Sequence, residues 1–354
     1  MTADTLKKVF WITIVWMLIA ISEFGHTYGA LYANGLTISA ERAWLMFRTA
    51  LLSGALAGIA GSFLIIYLFN HWLRNRPYGE ALLRILTAFT VVFFLVSIAS
   101  GFFMHSRELG LPLSDSRVIE AVFSIFYEWD SIRTYLFWFL VVLATTITLL
   151  VNEKYGPGVF RDFLLGRYFR PRREERIFMF LDLRGSTALA EKLGEERFFR
   201  FIQESFRDVT PAILKYRGQI YQYVGDEIVV SWSLKSGLSQ GRCVECFLEI
   251  QKILHDHAGY YQEKYGHQPE FKAGLHCGHV MAGEVGVVKR EIAFSGDVLN
   301  TTARIQSKCN EMGVNILLSE KLIHALPQAI QKMARALGAL PLRGKSDQVV
   351  VYTV

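Results

Sequence analysis

Four long apolar stretches occupy the first 151 residues of the chain, at roughly 8–30, 44–70, 81–104 and 132–151. Each approaches or exceeds the ~20 residues that cross the hydrocarbon core of a bilayer. Residues 87–103, TAFTVVFFLVSIASGFF, and 135–151, YLFWFLVVLATTITLLV, contain no charged side chain. The first stretch opens with Lys7 and Lys8, as a signal peptide would. No clean small-x-small cleavage site follows and three more stretches come after it, so it reads as a retained helix. From Arg176 the pattern changes. IFMFLDL (177–183) reads as a buried strand, and STALAEKLG and EERFFRFIQESFRDVTPAILKY as helices. GQIYQYV and EIVVSW read as two strands of a hairpin around Gly225-Asp226. QGRCVECFLEIQKILHDHAGYYQEKYG predicts one long helix, and EFKAGLHCGHVMAGEVG a strand with a Gly-rich return. REIAFSGD predicts a strand, VLNTTARIQSKCNEMG a helix, and NILLSE, a short helix and DQVVVYTV close the chain. Strands mixed with long helices and joined in part by hairpins predict an α+β domain with a mostly antiparallel sheet. The expected organisation is an all-α transmembrane bundle over 1–151, a juxtamembrane linker over 152–175 and an α+β domain over 176–354.

Charge adds an orientation. Lys7 and Lys8 precede the first stretch, Arg74, Arg76 and Arg84 flank the turn between the second and third, and six basic residues from Lys154 to Arg173 follow the fourth. The other two connections, 31–43 and 105–131, are acidic or mixed. The positive-inside rule then puts both termini and the soluble half on the cytoplasmic side, with 105–131 outside and holding a short helix. The expected location is a bacterial inner membrane. Residues 159–169, VFRDFLLGRYF, read as a basic amphipathic segment lying along that membrane. RPRREER reads as a solvated run facing phospholipid. Without aromatic interleaving it predicts no nucleic-acid partner. Four cysteines all lie beyond residue 240, and Cys243 and Cys246 form one CxxC. With no second pair it reads as two small residues on a helix face rather than a zinc site. Gly54 and Gly58 stand at GxxxG spacing, which serves packing within one protomer as well as a dimer contact. Glu23 and His26 lie one turn apart in the first stretch. With His105 they mark a candidate site for haem or a small ligand, set against interfacial histidines with ordinary partners.

Two short stretches carry the chemistry. In FLDLRGST a buried run stops at Asp182 and turns on a glycine. In YVGDEIVV, Asp226 stands at a hairpin tip. Two converging hard carboxylates suit Mg²⁺, which usually keeps substrate phosphates among its ligands. Gly185, Ser186 and Thr187 open a helix whose free N–H groups form an anion seat. Together these suggest a nucleoside triphosphate site; two unrelated turn acids are the plain alternative.

FLDLRGST, YVGDEIVV and FSGDVLNTTARIQ, in that order, resemble the catalytic domain of the class III nucleotidyl cyclases over residues 176–354. The resemblance implies that Asp182, Asp226 and the Leu183 carbonyl hold two Mg²⁺ or Mn²⁺ ions. The loop of Arg184, Gly185, Ser186 and Thr187 would hold the β- and γ-phosphates. Asn300 would orient the ribose, Arg304 would stabilise charge on the α-phosphate, and Arg343 or Lys345 would contact the triphosphate. It also implies a homodimer whose sites combine the acids of one chain with Asn300 and Arg304 of the other. Base choice departs from the family pattern. Gln222 stands where ATP-using members carry lysine, and Ala293 where they carry Asp or Thr. Guanylate-type members often carry Glu with Cys or Ser there. The absent Glu favours ATP, with GTP as the alternative substrate and a nucleotide-binding signalling module without turnover as the alternative function. Four spans exceed what an anchor needs, so a regulatory membrane half is expected.

Overall fold

The computed structural model describes residues 3–71, 78–155, 162, 165–288, 290–340 and 348–354. The chain divides into two compact units between Val151 and Asn152.

In the first unit the apolar stretches form α1 (Ala3–Ala33), α2 (Ala40–His71), α3 (Tyr78–Leu109) and α5 (Trp129–Tyr155). All four are long and apolar enough to cross a membrane. The connection before α5 holds the expected short helix, α4 (Ser116–Ser124), capped by Asp115, whose carboxylate accepts the Arg117 N–H. The small residues of α2 are spent inside the protomer. A Cβ at Gly54 would stand 2.9 Å from the Ala20 Cβ of α1, and one at Gly58 would stand 2.9 Å from the Thr13 Cα. Between the two GxxxG uses left open by the sequence, the close α1–α2 approach is the one observed. Trp16, Ile65, Ile85, Phe89 and Val142 form the centre of this unit. His26 is exposed, and His105 lies 3.7 Å from Glu108.

The second unit is built on an eight-stranded sheet. Its strands are β1 (Arg172–Leu183), β2 (Gln219–Val224), β3 (Glu227–Ser233), β4 (Phe271–Val285), β5 (Glu291–Ser295), β6 (Ile316–Ser319), β7 (Arg335–Leu340) and β8 (Val349–Thr353). The order is β2-β3-β1-β4-β6-β8-β7, with β5 paired to β4. Every pairing is antiparallel except β4 with β6. The helices used below are α6 (Ser186–Leu193), α7 (Glu195–Lys215), α8 (Arg242–Asp256), α9 (Ala258–Tyr265) and α10 (Asp297–Ser307).

Strand β1 is central and covered on both sides, which explains its continuous apolar run. With a side-chain period of two, Ile177, Met179, Leu181 and Leu183 enter the main core, which also holds Phe201 of α7 and Phe247 of α8. Phe178 joins Val229, Val280 and Val298 in a second cluster, with Phe180 against it. Asp182 shares the parity of Phe178 and Phe180.

Several elements differ from expectation. Strand β1 begins at Arg172, so part of the basic run is strand rather than solvated linker: Arg172–Arg176 pair with Gly278–Ala282. Residues 165–169 are turns, with Tyr168 buried and its carbonyl accepting the Glu284 N–H. The rest of the expected surface helix, with Pro157, lies largely outside the described residues. The long helix over 242–265 breaks at His257. Tyr261 and Tyr265 can then pack edge-on against Phe201, while the Tyr261 hydroxyl donates to Asp208 at 2.7 Å. Strand β7 was not anticipated. The expected Gly-rich return is instead the middle of one 15-residue strand, β4. Its glycines clear a seat for α10. A Cβ at Gly274 would overlap the Gln306 backbone, and one at Gly278 would stand 2.6 Å from Val298 Cγ2. Cys243 and Cys246 are buried in the core on α8, where burial pushes both thiols up, opposite to what a zinc thiolate needs.

Gly274→Ala should therefore lower the local stability of β4 and α10 by about 1–3 kcal/mol through overpacking. Hydrogen exchange of those peptides in the intact protein measures it. Gly259→Ala, in a helix with open space around the glycine, is the control and should not destabilise.

Candidate active site

The last residues of β1 set the site. In register, Asp182 stands between Glu227 of β3 and Lys272 of β4. Directly opposed residues share a face of the sheet, so the three side chains gather at one place. Lys272 is only 9% exposed, and its Nζ lies 3.0 Å from Asp182 Oδ2. The same oxygen accepts a 2.8 Å hydrogen bond from Gln306 Nε2 of α10. Gln306 reaches it because Gly274 lets the helix sit close. The β2–β3 hairpin closes through Gly225 and Asp226, with Gly225 at φ 61°, a conformation that a side chain would strain. Asp226 thus stands next to Glu227 at the tip. Burial raises the Glu227 carboxyl to about 7, the charges of Asp182 and Asp226 push it the same way, and Lys272 opposes them.

Beyond Leu183 the chain turns at once into α6. Gly185 caps the helix at φ 68°, and no atom stands within 4 Å of where its Cβ would be. The glycine is thus required by conformation, not by space. The first helical N–H with a carbonyl partner is Leu189, bonded to Gly185 at 3.1 Å. The N–H groups of Ser186, Thr187 and Ala188 lack partners within the helix. Arg184 belongs to the same turn, but its guanidinium is engaged elsewhere. It donates to Val314 O at 3.1 Å and Asn315 Oδ1 at 2.7 Å, so its side chain ties the turn to the segment before β6.

Asn300 is exposed and Arg304 half-buried on α10. Four residues apart, they lie within about 40° of each other around the helix. Gln306 is two residues beyond Arg304, about 200° around the same helix, and it is the side chain that reaches Asp182. Asn300 and Arg304 therefore stand on a different side of α10 from Gln306.

Gln222 and Ala293 lie on β2 and β5. A register shift at Tyr221 leaves that residue unpaired and re-aims the strand just before Gln222. The Tyr221 and Phe294 rings stand 5.0 Å apart, with Phe178 5.6 Å from Phe294. The Tyr221 hydroxyl accepts the Phe294 N–H at 3.3 Å. The two strands are thus joined one residue away from each base-reading candidate. Arg343 and Lys345 lie outside the described residues.

Sequence reasoning missed Glu227, Lys272 and Gln306. Glu227 had a readable signal, as the acid following Asp226 in GDE. Lys272 and Gln306 had none, since their roles come from register and from a helix seat 124 residues after Asp182. The donor set fits a divalent ion. Asp182, Asp226 and the Leu183 carbonyl are oxygen donors of the kind Mg²⁺ takes, with places left for water and phosphate. Among the described residues no group of three or more His, Cys, Asp or Glu forms a self-contained metal site.

The soluble unit is thus an α+β domain with a mostly antiparallel sheet, acids gathered at one strand end and an open helix N-terminus beside them. The sequence model of the adenylate and guanylate cyclase catalytic domain matches residues 170–354, and the chain belongs to that family. It is 35% identical over 206 residues to adenylate cyclase 2 of Rhizobium meliloti (strain 1021), covering 58% of this chain and 57% of that protein. It is 24% identical over 185 residues to an adenylate cyclase of Anabaena cylindrica, covering 50% of this chain and 36% of that one. The chain thus spans less than two thirds of the length of either relative. A bacterial light-regulated adenylyl cyclase of known structure shares the fold, with a TM-score of 0.52 at 24% identity over 61% of this chain and 63% of that one.

Because burial and its acidic neighbours raise the folded-state pKa of Glu227, the folded state holds a proton there that the unfolded state has lost between about pH 4.5 and 7. Stability from this group falls as pH rises through that window. Glu227→Gln should raise the melting temperature of the metal-free protein at pH 8 and leave it nearly unchanged at pH 4. Scanning calorimetry at the two pH values is the check.

Proposed function

We propose that this chain is a membrane-anchored adenylate cyclase, converting ATP to 3′,5′-cyclic AMP and pyrophosphate as a homodimer. The observation that carries the reading is the meeting of Asp182, Asp226 and the N-terminus of α6 at one end of the sheet, in a chain of this family. Two Mg²⁺ or Mn²⁺ ions held by Asp182, Asp226 and the Leu183 carbonyl would supply Lewis acidity toward the ribose 3′-oxygen and the triphosphate. The N–H groups of Ser186 and Thr187 bind the β- and γ-phosphates in the field of the helix. Asn300 holds the ribose so that its 3′-oxygen lies in line with the α-phosphate. Arg304 places its guanidinium where charge builds on the non-bridging oxygens as pyrophosphate leaves. Lys272 and Gln306 position the Asp182 carboxylate.

The homodimer rests on α10. Gln306 faces Asp182 of its own chain while Asn300 and Arg304 face away, so a complete site takes the acids of one protomer and the Asn–Arg pair of its partner. With both sets present in each chain, two equivalent sites form. Adenine is favoured over guanine because no carboxylate stands at Gln222 or Ala293 to hold guanine N1 and N2. The Gln222 amide both donates and accepts, and so suits the adenine edge. The membrane helices regulate the reaction from a bacterial inner membrane, with both termini and the soluble unit on the cytoplasmic side. Arg343 and Lys345 complete the contacts to the triphosphate.

The test is purified protein given ATP or GTP with Mg²⁺ or Mn²⁺, with products separated by chromatography. Cyclic AMP is expected, falling at least a hundredfold in Asp226→Ala. Cyclic GMP would keep the reaction and replace the substrate, and nucleotide binding without product would leave a signalling module. The shared site gives a second expectation. Asp226→Ala and Arg304→Ala chains, each inactive alone, should recover activity when co-expressed, because one of the two sites in the mixed dimer is intact. No recovery despite mixed dimers by mass spectrometry would place each site within one chain.

A further inference from the structure

The membrane unit contains a cavity of about 390 Å³ between α1, α2, α3 and α5. That volume falls within the range of small-molecule sites. Its lining is sorted by polarity along the bundle. Trp16, Ile65, Ile85, Phe89 and Val142 line one end. Glu23, Thr27, Ser97, Ser100, Arg133 and Thr134 line the other. These polar residues come from the late part of α1, the late part of α3 and the start of α5. Chain direction puts those segments at the same end of the unit, and the 3.1 Å Arg42–Glu108 ion pair ties the start of α2 to the end of α3 there.

The hydroxyls of this unit show which polar groups are left over. Thr13, Thr49, Ser53, Ser62, Thr87, Thr90, Thr145 and Thr148 each donate back to a carbonyl of their own helix at 2.8–3.3 Å. This is how an apolar bundle usually satisfies a hydroxyl. Ser100 does not. Ser100 is 7% exposed, and its Oγ has no hydrogen-bond partner among the described residues. A buried hydroxyl left unpaired is costly, and a ligand group in the cavity would satisfy it.

Charge narrows the ligand. The carboxylate of Glu23 has Arg133 and Trp138 beside it. The two charges in the lining therefore offset each other. Asp130, 3.3 Å from Arg133 and outside the lining, adds a further negative charge that opposes an anionic head. A cationic head would meet the Arg133 guanidinium, which lies beside both Glu23 and Asp130. Neither His26 nor His105 lines the cavity, so the histidine-held haem considered from the sequence has no support in it.

We propose that this cavity is a binding site for an uncharged lipophilic molecule whose hydroxyl or carbonyl head bonds Ser100 while its apolar body lies along Phe89, Ile85 and Val142. The site stands independently of the reaction assigned to the soluble unit. Such a molecule could come from the bilayer itself or from outside the cell.

The probe is decanol carrying a chain diazirine, applied to the full-length protein in phosphatidylcholine nanodiscs and photolysed. Adducts are mapped by mass spectrometry and normalised to those on outward side chains such as Leu83, Leu95 and Leu140, which are more than 60% exposed. Adducts on Phe89, Val92 and Val142 that unlabelled decanol competes away are expected. Adducts confined to the outward side chains would overturn the proposal. Ser100→Ala, which removes the hydroxyl and adds no atom, should weaken decanol competition about tenfold, on the order of one buried hydrogen bond. Decane should compete about tenfold less well than decanol in the unaltered protein, a comparison that needs no variant. Equal competition by both would overturn the role of Ser100. Solvent extraction of protein purified from its native membranes separates the sources. A stoichiometric neutral lipophile in the extract supports the site with the bilayer as supplier. A cavity that yields none and labels at once supports it with an external ligand.

Discussion

The soluble unit is organised by the burial of β1 on both faces. Its apolar run, 177–181, has apolar neighbours above and below and no room for charge, so the charged residues of β1 stand before that run at 172–176 and after it at Asp182. That end is where the β2–β3 hairpin turns and where α6 begins. One constraint therefore brings Asp182, Asp226 and the helix N-terminus together. Its cost is visible in Glu227, whose carboxyl is raised by burial beside two other acids. Lys272 and Gln306 offset part of that crowding by bonding Asp182 directly.

The second constraint is the closeness of α10 to the sheet. Gly274 and Gly278 remove the side chains that would hold the helix away. The helix then presents one face to Asp182 through Gln306 and turns Asn300 and Arg304 outward. The proposed division of the site between two chains rests on this helix phase and not on the membrane unit, whose Gly54 and Gly58 serve the α1–α2 approach. Under that proposal activity depends on the relation between protomers, a natural lever for regulation.

Much was legible in the sequence. The four apolar stretches, the hairpin around Gly225-Asp226, the strand ending at Asp182 and the helix carrying Asn300 and Arg304 are set by local rules: span length, alternation, turn glycines and helical period. The mostly antiparallel sheet followed from the same patterns. Positions decided by long-range packing were not legible. Part of EFKAGLHCGHVMAGEVG reads as a Gly-rich return because a glycine chosen for a helix seat and one chosen for a bend are the same letter. His257 interrupts a helix that the apolar pattern carries through, because the tertiary contacts of Tyr261 outweigh the local period.

By itself the sequence determined the two-part architecture, the strand and helix types, and which acids and hydroxyls stand at element ends, because these depend on residues near one another along the chain. Only the tertiary structure decided that Asp182 lies between Glu227 and Lys272, that Gln306 reaches it, that Arg184 ties a turn to Asn315, and that Ser100 is an unpaired hydroxyl lining a cavity. Those outcomes depend on strand register and helix phase. Both are fixed by the packing of segments far apart in the chain, and a slip of one residue in either would turn each of these side chains to another face.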